Sequence, residues 1–521
     1  MISADERVAA RLRLAKKTDA VRAMLVQSSP VDLTSIGRTL LHAAFVGAAA
    51  GLVGAAFFAG LELLQTALLE NLGGYHLLRA AGENFVASTG GHTFRPWLLV
   101  LLPAAGALAS GLISVLAPET RGGGGDAMID AFHQQGGFIR ARVIWVKALA
   151  SLATLGSGGS GGREGPTMLI GGAIGSWVGR VLPISARERR ILMIAGVAAG
   201  IAAVFRTPLG AALLAVEVLY RDDFESDALI PAVLASVVAY SVVISIYGES
   251  TLFAQPSRFP FVPRHLGFYA AMALAISMVA ALFVRTLEAV QTVSTHLPVP
   301  AWVKPAVGGL GLGIFAVPLV LLVSWSVHLP GQGLGLLGGG YVAVQVAISG
   351  ASWLPVGWSG VALLSGLCFA KIFASSLTIG TGGSAGDFAP SMVIGGLFGG
   401  AFGRALQLLF DDPQINPAAF ALVGMGTFYG GLSHTPLSSL IIVCELAGSY
   451  DLLVPLMLAE GIAFVALRNR SLYHAQLATR RHSPSHSDDS GLTMMTLPEP
   501  AKPAPAPAVP SPTAAPPDPE P

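Results

Sequence analysis

The chain has 521 residues, of which 53% are hydrophobic and only 12% charged, with a formal net charge of +1 and a mean hydropathy of +0.65. A soluble domain carries about 25% charged residues, so a water-facing globule is excluded, and the near-zero charge speaks against a nucleic-acid partner. The two cysteines, Cys368 and Cys444, both lie in apolar runs and offer neither a disulfide framework nor metal-ligand spacing.

Residues 1–35 read as a cytoplasmic amphipathic segment. Arg7, Arg11, Arg13, Lys16, Lys17 and Arg22 stand where a signal peptide would need a short apolar core. Apolar stretches follow at 37–69, 97–117, 229–247, 267–285, 305–328 and 452–467, near or above the roughly 20 residues that cross a bilayer. The expectation is an all-α polytopic membrane protein with its membrane domain over 36–478. The acidic stretch YRDDFESDAL, with Asp222, Asp223, Glu225 and Asp227, reads as a solvated loop between two apolar runs. Arg468, Arg470, Arg480 and Arg481 follow the last apolar run. The positive-inside rule then places both ends in the cytoplasm of a multi-pass protein of the cell (inner) membrane, with an even number of crossings. Residues 479–521, rich in proline and alanine, read as a disordered cytoplasmic tail.

The middle of the chain repeats itself. KALASLATLGSGGSGGREGP (147–166) aligns without gaps on KIFASSLTIGTGGSAGDFAP (371–390), and PTMLIGGAIGSWVGR (166–180) on PSMVIGGLFGGAFGR (390–404). GVAAGIAAVFRTPLGAALLAVE (196–217) then matches GMGTFYGGLSHTPLSSLIIVCE (424–445). Three blocks in register, with Lys, Pro, Arg and Glu matching as well as Gly, indicate duplication. Transporters built of such halves bind cargo near the midplane, where interrupted helices meet. In GREGP and GDFAP the proline is expected at the first position of a helix. A helix start presents unsatisfied N–H groups and about half a positive charge. Two such starts converging inside the membrane would hold an anion without any full positive charge.

These residues resemble the CLC family of chloride channels and chloride/proton antiporters. GREGP (162–166), AGDFAP (385–390), GLSHTPLSSLIIVCE (431–445) and NRSLYHAQL (469–477) carry the resemblance, which spans about 37–478. It implies an inverted repeat of tilted and broken helices, a homodimer with one pore per subunit, and chloride and protons as cargo, with no cofactor and no enzymatic step. Glu164 matches the gating glutamate, which competes with the anion and leaves when protonated. Tyr473 matches the tyrosine whose hydroxyl donates to the anion, and Asp387 and Phe388 the positions that offer it backbone N–H groups. Phe388 is the repeat twin of Glu164. Arg163 is counted with the anion site, though an ion pair or a place at an aqueous vestibule suits it as well.

Two positions depart from the family. Its anion-binding serine falls on Gly124, which leaves a backbone donor only; Asp126, two residues on, is expected to cap the next helix. The inner proton-transfer glutamate of the antiporters falls on Val218, beside Glu217. Glu217 has a twin in Glu445, which favours a structural role over a place on the proton path. Because Glu164 and Tyr473 are both present, chloride/proton antiport gated by Glu164 is the leading reading; Val218 favours the alternative, a passive voltage- or pH-gated chloride channel. An intramembrane serine protease, with Ser160 in GGSG as nucleophile and His434 as base, is a remote third.

Overall fold

The computed structural model describes residues 33–77, 79–80, 93–249, 251–253, 258–328, 331–350 and 354–487. Most of the 1–35 segment and the tail beyond residue 487 lie outside these. The first half of the repeat is α1 (Leu33–Gln65), which runs on as a π-helical turn over Thr66–Leu72, then α2 (Pro96–Ile113), α3 (Gly125–Gln134), α4 (Arg142–Gly156), α5 (Glu164–Val181), α6 (Ala186–Phe205), α7 (Pro208–Glu217) and α8 (Leu229–Tyr247). The second is α9 (Leu266–His296), α10 (Lys304–Val327), α11 (Tyr341–Ser349), α12 (Trp358–Gly380), α13 (Phe388–Phe410), α14 (Pro417–Ser433), α15 (Pro436–Ala447) and α16 (Leu453–Ala466). A single turn, α17 (Pro484–Ser487), follows.

Seven of the described helices are long and apolar enough to cross a membrane. They include Trp358–Gly380 and Phe388–Phe410, which are not among the apolar stretches picked out in the sequence. Conversely, the apolar stretch at 452–467 yields the 14-residue α16, about 21 Å at 1.5 Å per residue and too short to cross alone. The fold thus mixes full spans with partial helices. Large apolar side chains such as Leu41, Met278, Trp325 and Val465 remain exposed, as a lipid-facing surface requires.

The duplication is visible atom by atom. Gly162 and Gly386, repeat twins, pair with each other: each N–H donates to the other's carbonyl at 2.7 Å, in an antiparallel bridge. Equivalent segments therefore meet while running in opposite directions, which makes the repeat inverted. In each half two helices cross backbone to backbone. A Cβ on Gly171 would sit 2.1 Å from the Gly196 carbonyl oxygen, and one on its twin Gly395 would sit 2.3 Å from that of Gly424. Small residues are the only solution at such crossings. The twins Arg206 and His434 share a left-handed backbone, φ 59° and 57°, where one helix breaks into the next. His434 lies edge-on to Phe464 at 5.7 Å, whereas the Ser160 hydroxyl pairs with Ser375 at 3.1 Å. The Ser–His pair of a protease is not among the described contacts.

One face gathers both described ends of the chain. Arg38, at the start of α1, pairs with Glu188 at the start of α6 at 2.8 Å, while Arg187 and Arg480 both reach Asp227. We call this the near face. The acidic stretch there is exposed at Asp222 and Asp227, as a solvated loop would be, but it also acts as a clamp. Glu225 is buried, accepting from the Tyr220 hydroxyl at 2.8 Å and facing Arg480 and His486 at 2.9 Å. It holds down residues 479–487, which the sequence assigns to a disordered tail: Ser485 donates to the Phe132 carbonyl and His133 pairs with Ser483. The alternation of Ser and His in HSPSHS (482–487) hides its docking groups from a composition reading.

Candidate anion and proton path

Four helices begin at the middle of the molecule. α5 starts immediately after Arg163 and α13 after Asp387, on either side of the Gly162–Gly386 bridge. α3 and α11 start after Gly124 and Gly340, whose φ values of 98° and 91° lie in the left-handed region. Glycine adopts that geometry without the penalty other residues incur, and here it turns each chain sharply into a helix. The prolines of GREGP and GDFAP stand at the third helical position and not the first. The first four N–H groups of a helix have no intrahelical acceptor, so proline costs no hydrogen bond anywhere in that turn.

Two buried lysines brace the loops that lead into α3 and α11. Lys147, on α4, donates to the carbonyls of Thr120 and Gly122 at 3.0 and 2.7 Å. Its twin Lys371, on α12, donates to those of Gly335, Leu336 and Gly338 at 3.0, 3.4 and 2.7 Å. Both side chains are essentially inaccessible, and the carbonyls they gather would otherwise point at neighbours with nothing to donate. The matching Lys in the repeat signals this role; which carbonyls it serves does not show in sequence.

Glu164 occupies the first position of α5 and is completely buried. Its Oε1 accepts from the Tyr341 hydroxyl at 2.8 Å and lies 3.8 Å from Nε of Arg163. Arg163 is spread over the rings of Phe58 and Tyr341, at 4.7 and 5.8 Å. Beyond them lies a small cavity of about 60 Å³ lined by Glu62, Arg79, Arg163 and Tyr341 among others, at the end of α1 remote from the near face. Tyr341, the hydrogen-bond donor to Glu164, is a candidate-site residue the sequence analysis missed. It follows GLLGGG and opens α11, which stands in its half where α3 stands in the first, but the 216 residues between their starts (341 − 125) differ from the 224 of the aligned blocks, so the repeat offset does not point to it.

The middle of the path is aromatic. Tyr341 meets Phe205, Phe205 meets Phe388 at 4.8 Å, and Phe388 meets Tyr429 at 4.1 Å between ring centres. The hydroxyls of Tyr429 and Tyr473 are 3.4 Å apart, and the Tyr473 hydroxyl is 3.4 Å from Oδ1 of Asp387. Tyr473 lies flat against α3, where a Cβ on Gly125 would come within 2.5 Å of its ring. Gly124 sits beside it, with Lys147 Cε and the Gly165 carbonyl at 3.3 and 3.0 Å from where a Cβ would stand. A serine here would be strained by its φ. On the near side opens a second cavity of about 210 Å³, lined by Gly122–Asp126, Glu288, Asp387, Ser471 and His474 among others.

The structure thus brings Gly124, Asp387, Phe388 and Tyr473 to one place, and Glu164 and Arg163 to the opposite end of the same aromatic column. Glu217 belongs to neither. Its carboxylate accepts from the N–H groups of Leu437 and Ser438 at 3.2 and 2.8 Å and from the Ser438 hydroxyl, at the start of α15. Its twin Glu445 does the same for Leu209 and Gly210 at the start of α7, at 3.2 and 2.9 Å. Each half caps a helix of the other. Val218 is fully buried. Asp126, expected to cap α3, instead accepts from the Ala475 N–H at 3.0 Å and ties Tyr473's segment to α3. It can do so because the left-handed Gly124 already makes the turn.

Comparison with known proteins agrees with this geometry. The chain is 29% identical to the voltage-gated ClC-type chloride channel ClcB of Escherichia coli, over 86% of this chain and all of that one. It is 28% identical to the H(+)/Cl(-) exchange transporter ClcA of Vibrio vulnificus, over 87% and 91% of the two chains. The crystal structure of a slow cyanobacterial Cl⁻/H⁺ antiporter superposes with a TM-score of 0.68 at 24% identity, covering 83% of this chain and 94% of that one. The family described as voltage gated chloride channel matches residues 105–468, and the chain belongs to that family.

Proposed function

We propose that the protein moves chloride across the membrane in exchange for protons, with the Glu164 carboxyl as the group that carries the proton and vacates the path. The observation that carries this reading is the placement of a completely buried carboxylate at a helix start between two cavities, held by a tyrosine hydroxyl. A buried charge in a membrane costs several kcal/mol unless partnered, and the helix start and Tyr341 offset that cost. When protonated, the carboxyl loses its attraction to the helix N-termini, and an anion takes its place there. The exchange-transporter name of the Vibrio relative and the antiporter structure support coupling; the channel name of the Escherichia relative keeps a passive pore as the second reading. By the positive-inside rule the near face, with Arg468, Arg470, Arg480 and Arg481, is cytoplasmic. The homodimer belongs to the same reading and is checked by mass in detergent.

The test uses purified protein in liposomes under an outward chloride gradient, with a potassium ionophore to carry charge and both ions recorded. Chloride efflux should drive proton uptake, and Glu164→Gln should remove the proton movement. Chloride efflux without protons in the unmodified protein would establish the passive pore. No anion flux would sink both.

A further inference from the structure

The side chain of Asp387 is unexplained by the reading above, which needs only its backbone. As the residue before α13 it occupies a helix N-cap, yet its carboxylate makes no capping bond to the first turn. It turns instead toward Tyr473, with Oδ1 3.4 Å from the hydroxyl. Its Oδ2 lies 3.0 Å from where a Cβ on Gly123 would stand, so the carboxylate lies against the glycine loop, in the wall of the near cavity. The residue is nine-tenths buried. Its repeat twin is Arg163 (163 + 224 = 387), so the duplication has put a cation beside the far-side carboxylate and an anion at the corresponding near-side place.

From this placement the geometry points to Asp387 as a second proton-binding group of the path, taking its proton from the near cavity and admitting the anion beside Tyr473 when neutral. This rests on the reading of an anion path gated by Glu164. The electrostatic logic is short. An ionised Asp387 at the mouth of an anion site repels the cargo; Lys147, held on two loop carbonyls, attracts the same carboxylate, but Asp126 adds a second negative charge that offsets it. Arg121, Glu288 and His474 also line the cavity, and Tyr429 and Tyr473 face the carboxyl from the aromatic side. A proton delivered by cavity water to Asp387 converts COO⁻ to COOH, removes one negative charge, and leaves Tyr473 free to turn its hydroxyl hydrogen to the anion. Departure of the anion returns the proton to the cavity or passes it inward through the tyrosine hydroxyls.

Proton and anion binding are then linked, and the linkage is measurable without transport. Chloride affinity is measured by calorimetry on the full chain in detergent, from about pH 5 to 9, for four proteins: unmodified, Glu164→Gln, Asp387→Asn and the double variant. With Glu164 unable to titrate, one linked proton makes chloride affinity fall about tenfold per pH unit above the titration of the remaining group. The expectation is that slope in Glu164→Gln and less than about a twofold change over the whole range in the double variant. Equal slopes in those two proteins would overturn the assignment to Asp387. A flat profile in Glu164→Gln would also overturn it while leaving Glu164 in place. Should Asp387→Asn not fold, Asp387→Glu on the Glu164→Gln background keeps the carboxyl and must keep the slope; losing it counts against the inference. Absence of chloride binding in the unmodified protein would remove the functional reading itself, and this inference with it.

Discussion

On the far side Tyr341 donates to Glu164 at 2.8 Å, and no part of that carboxylate is exposed. On the near side Tyr473 reaches Asp387 at 3.4 Å, beside a cavity of about 210 Å³ where the far side has about 60 Å³. Both ends pair a tyrosine with a carboxylate at the start of a repeat helix, yet the tyrosines have different origins. Tyr341 opens α11 itself, so its position is set by the helix it begins. Tyr473 comes from the segment after α16 and is held by packing on Gly125 and by the bond from Ala475 to Asp126. The far pair is therefore the tighter and drier one, built into the repeat. The near pair is laid over the repeat by a later piece of chain. A gate that must stay shut until a proton arrives suits the first arrangement, and exchange with solvent suits the second.

The sharpest way to break this comparison is at the lysines that shape the two helix starts. Lys371→Met removes three donated hydrogen bonds and Lys147→Met two, in each case leaving buried carbonyls unpaired, at about 1–3 kcal/mol per orphaned group. Both variants should lose thermal stability in detergent, Lys371→Met the more. Equal stability of Lys371→Met and the unmodified protein would show that the far loop does not depend on its lysine.

Tyr341→Phe comes next. It takes a hydrogen bond from a buried charge, worth about 1.5–3 kcal/mol, and so should favour departure of Glu164 by roughly 10- to 100-fold, seen as faster chloride efflux in liposomes at neutral pH. Tyr473→Phe removes a longer contact and should change efflux by less than about tenfold. Reversal of that order would mean that the near pair, and not the far one, closes the path. Between these lies Gly124→Ser, which forces a side chain into φ 98°. A cost of about 1–3 kcal/mol in stability is expected for a non-glycine residue in such a conformation, measured by thermal unfolding.

Much of the far side was legible in the sequence. GREGP sits at a repeat position, and a carboxylate among glycines in a membrane has few uses, so Glu164 follows from chemistry and resemblance together. The duplication follows from matched Lys, Pro and Glu and its inversion from the resemblance, while Glu217 and its twin Glu445 each accept from the start of a helix in the other half. What did not follow depends on partners distant in the chain. Tyr341 lies 177 residues from the carboxylate it serves and looks like any aromatic in an apolar run. Asp387 was read only for the backbone N–H group it offers an anion; what its side chain does depends on surroundings that turn it toward Tyr473 and the cavity. The 479–487 segment was assigned to the tail because its composition is that of a linker, while its order comes from Glu225 and His133 more than 250 residues earlier.

That segment gives the smallest effect and a pH test of whether the near side is laid on from outside the repeat. Burial alone would raise the titration of Asp227, but the Arg187 and Arg480 guanidinium groups outweigh it and hold the carboxyl below the usual aspartate range. A carboxyl lowered by folding contributes stability above its unfolded value, about 3.9 for aspartate, and loses it as pH falls through the folded value. The clamp should therefore hold at neutral pH and loosen below about pH 4, releasing 479–487 before the membrane helices respond. Hydrogen exchange over that segment, corrected for the intrinsic effect of pH, is the measurement. Asp227→Asn at pH 7 should mimic the acid result weakly, with protection reduced about twofold, as befits a partly exposed ion pair. Because Tyr473 lies only a few residues before the clamp, loosening should weaken the near tyrosine–carboxylate pair and leave Tyr341 and Glu164 unchanged. Release that disturbed both ends equally would show the near side to be as much a part of the repeat as the far one.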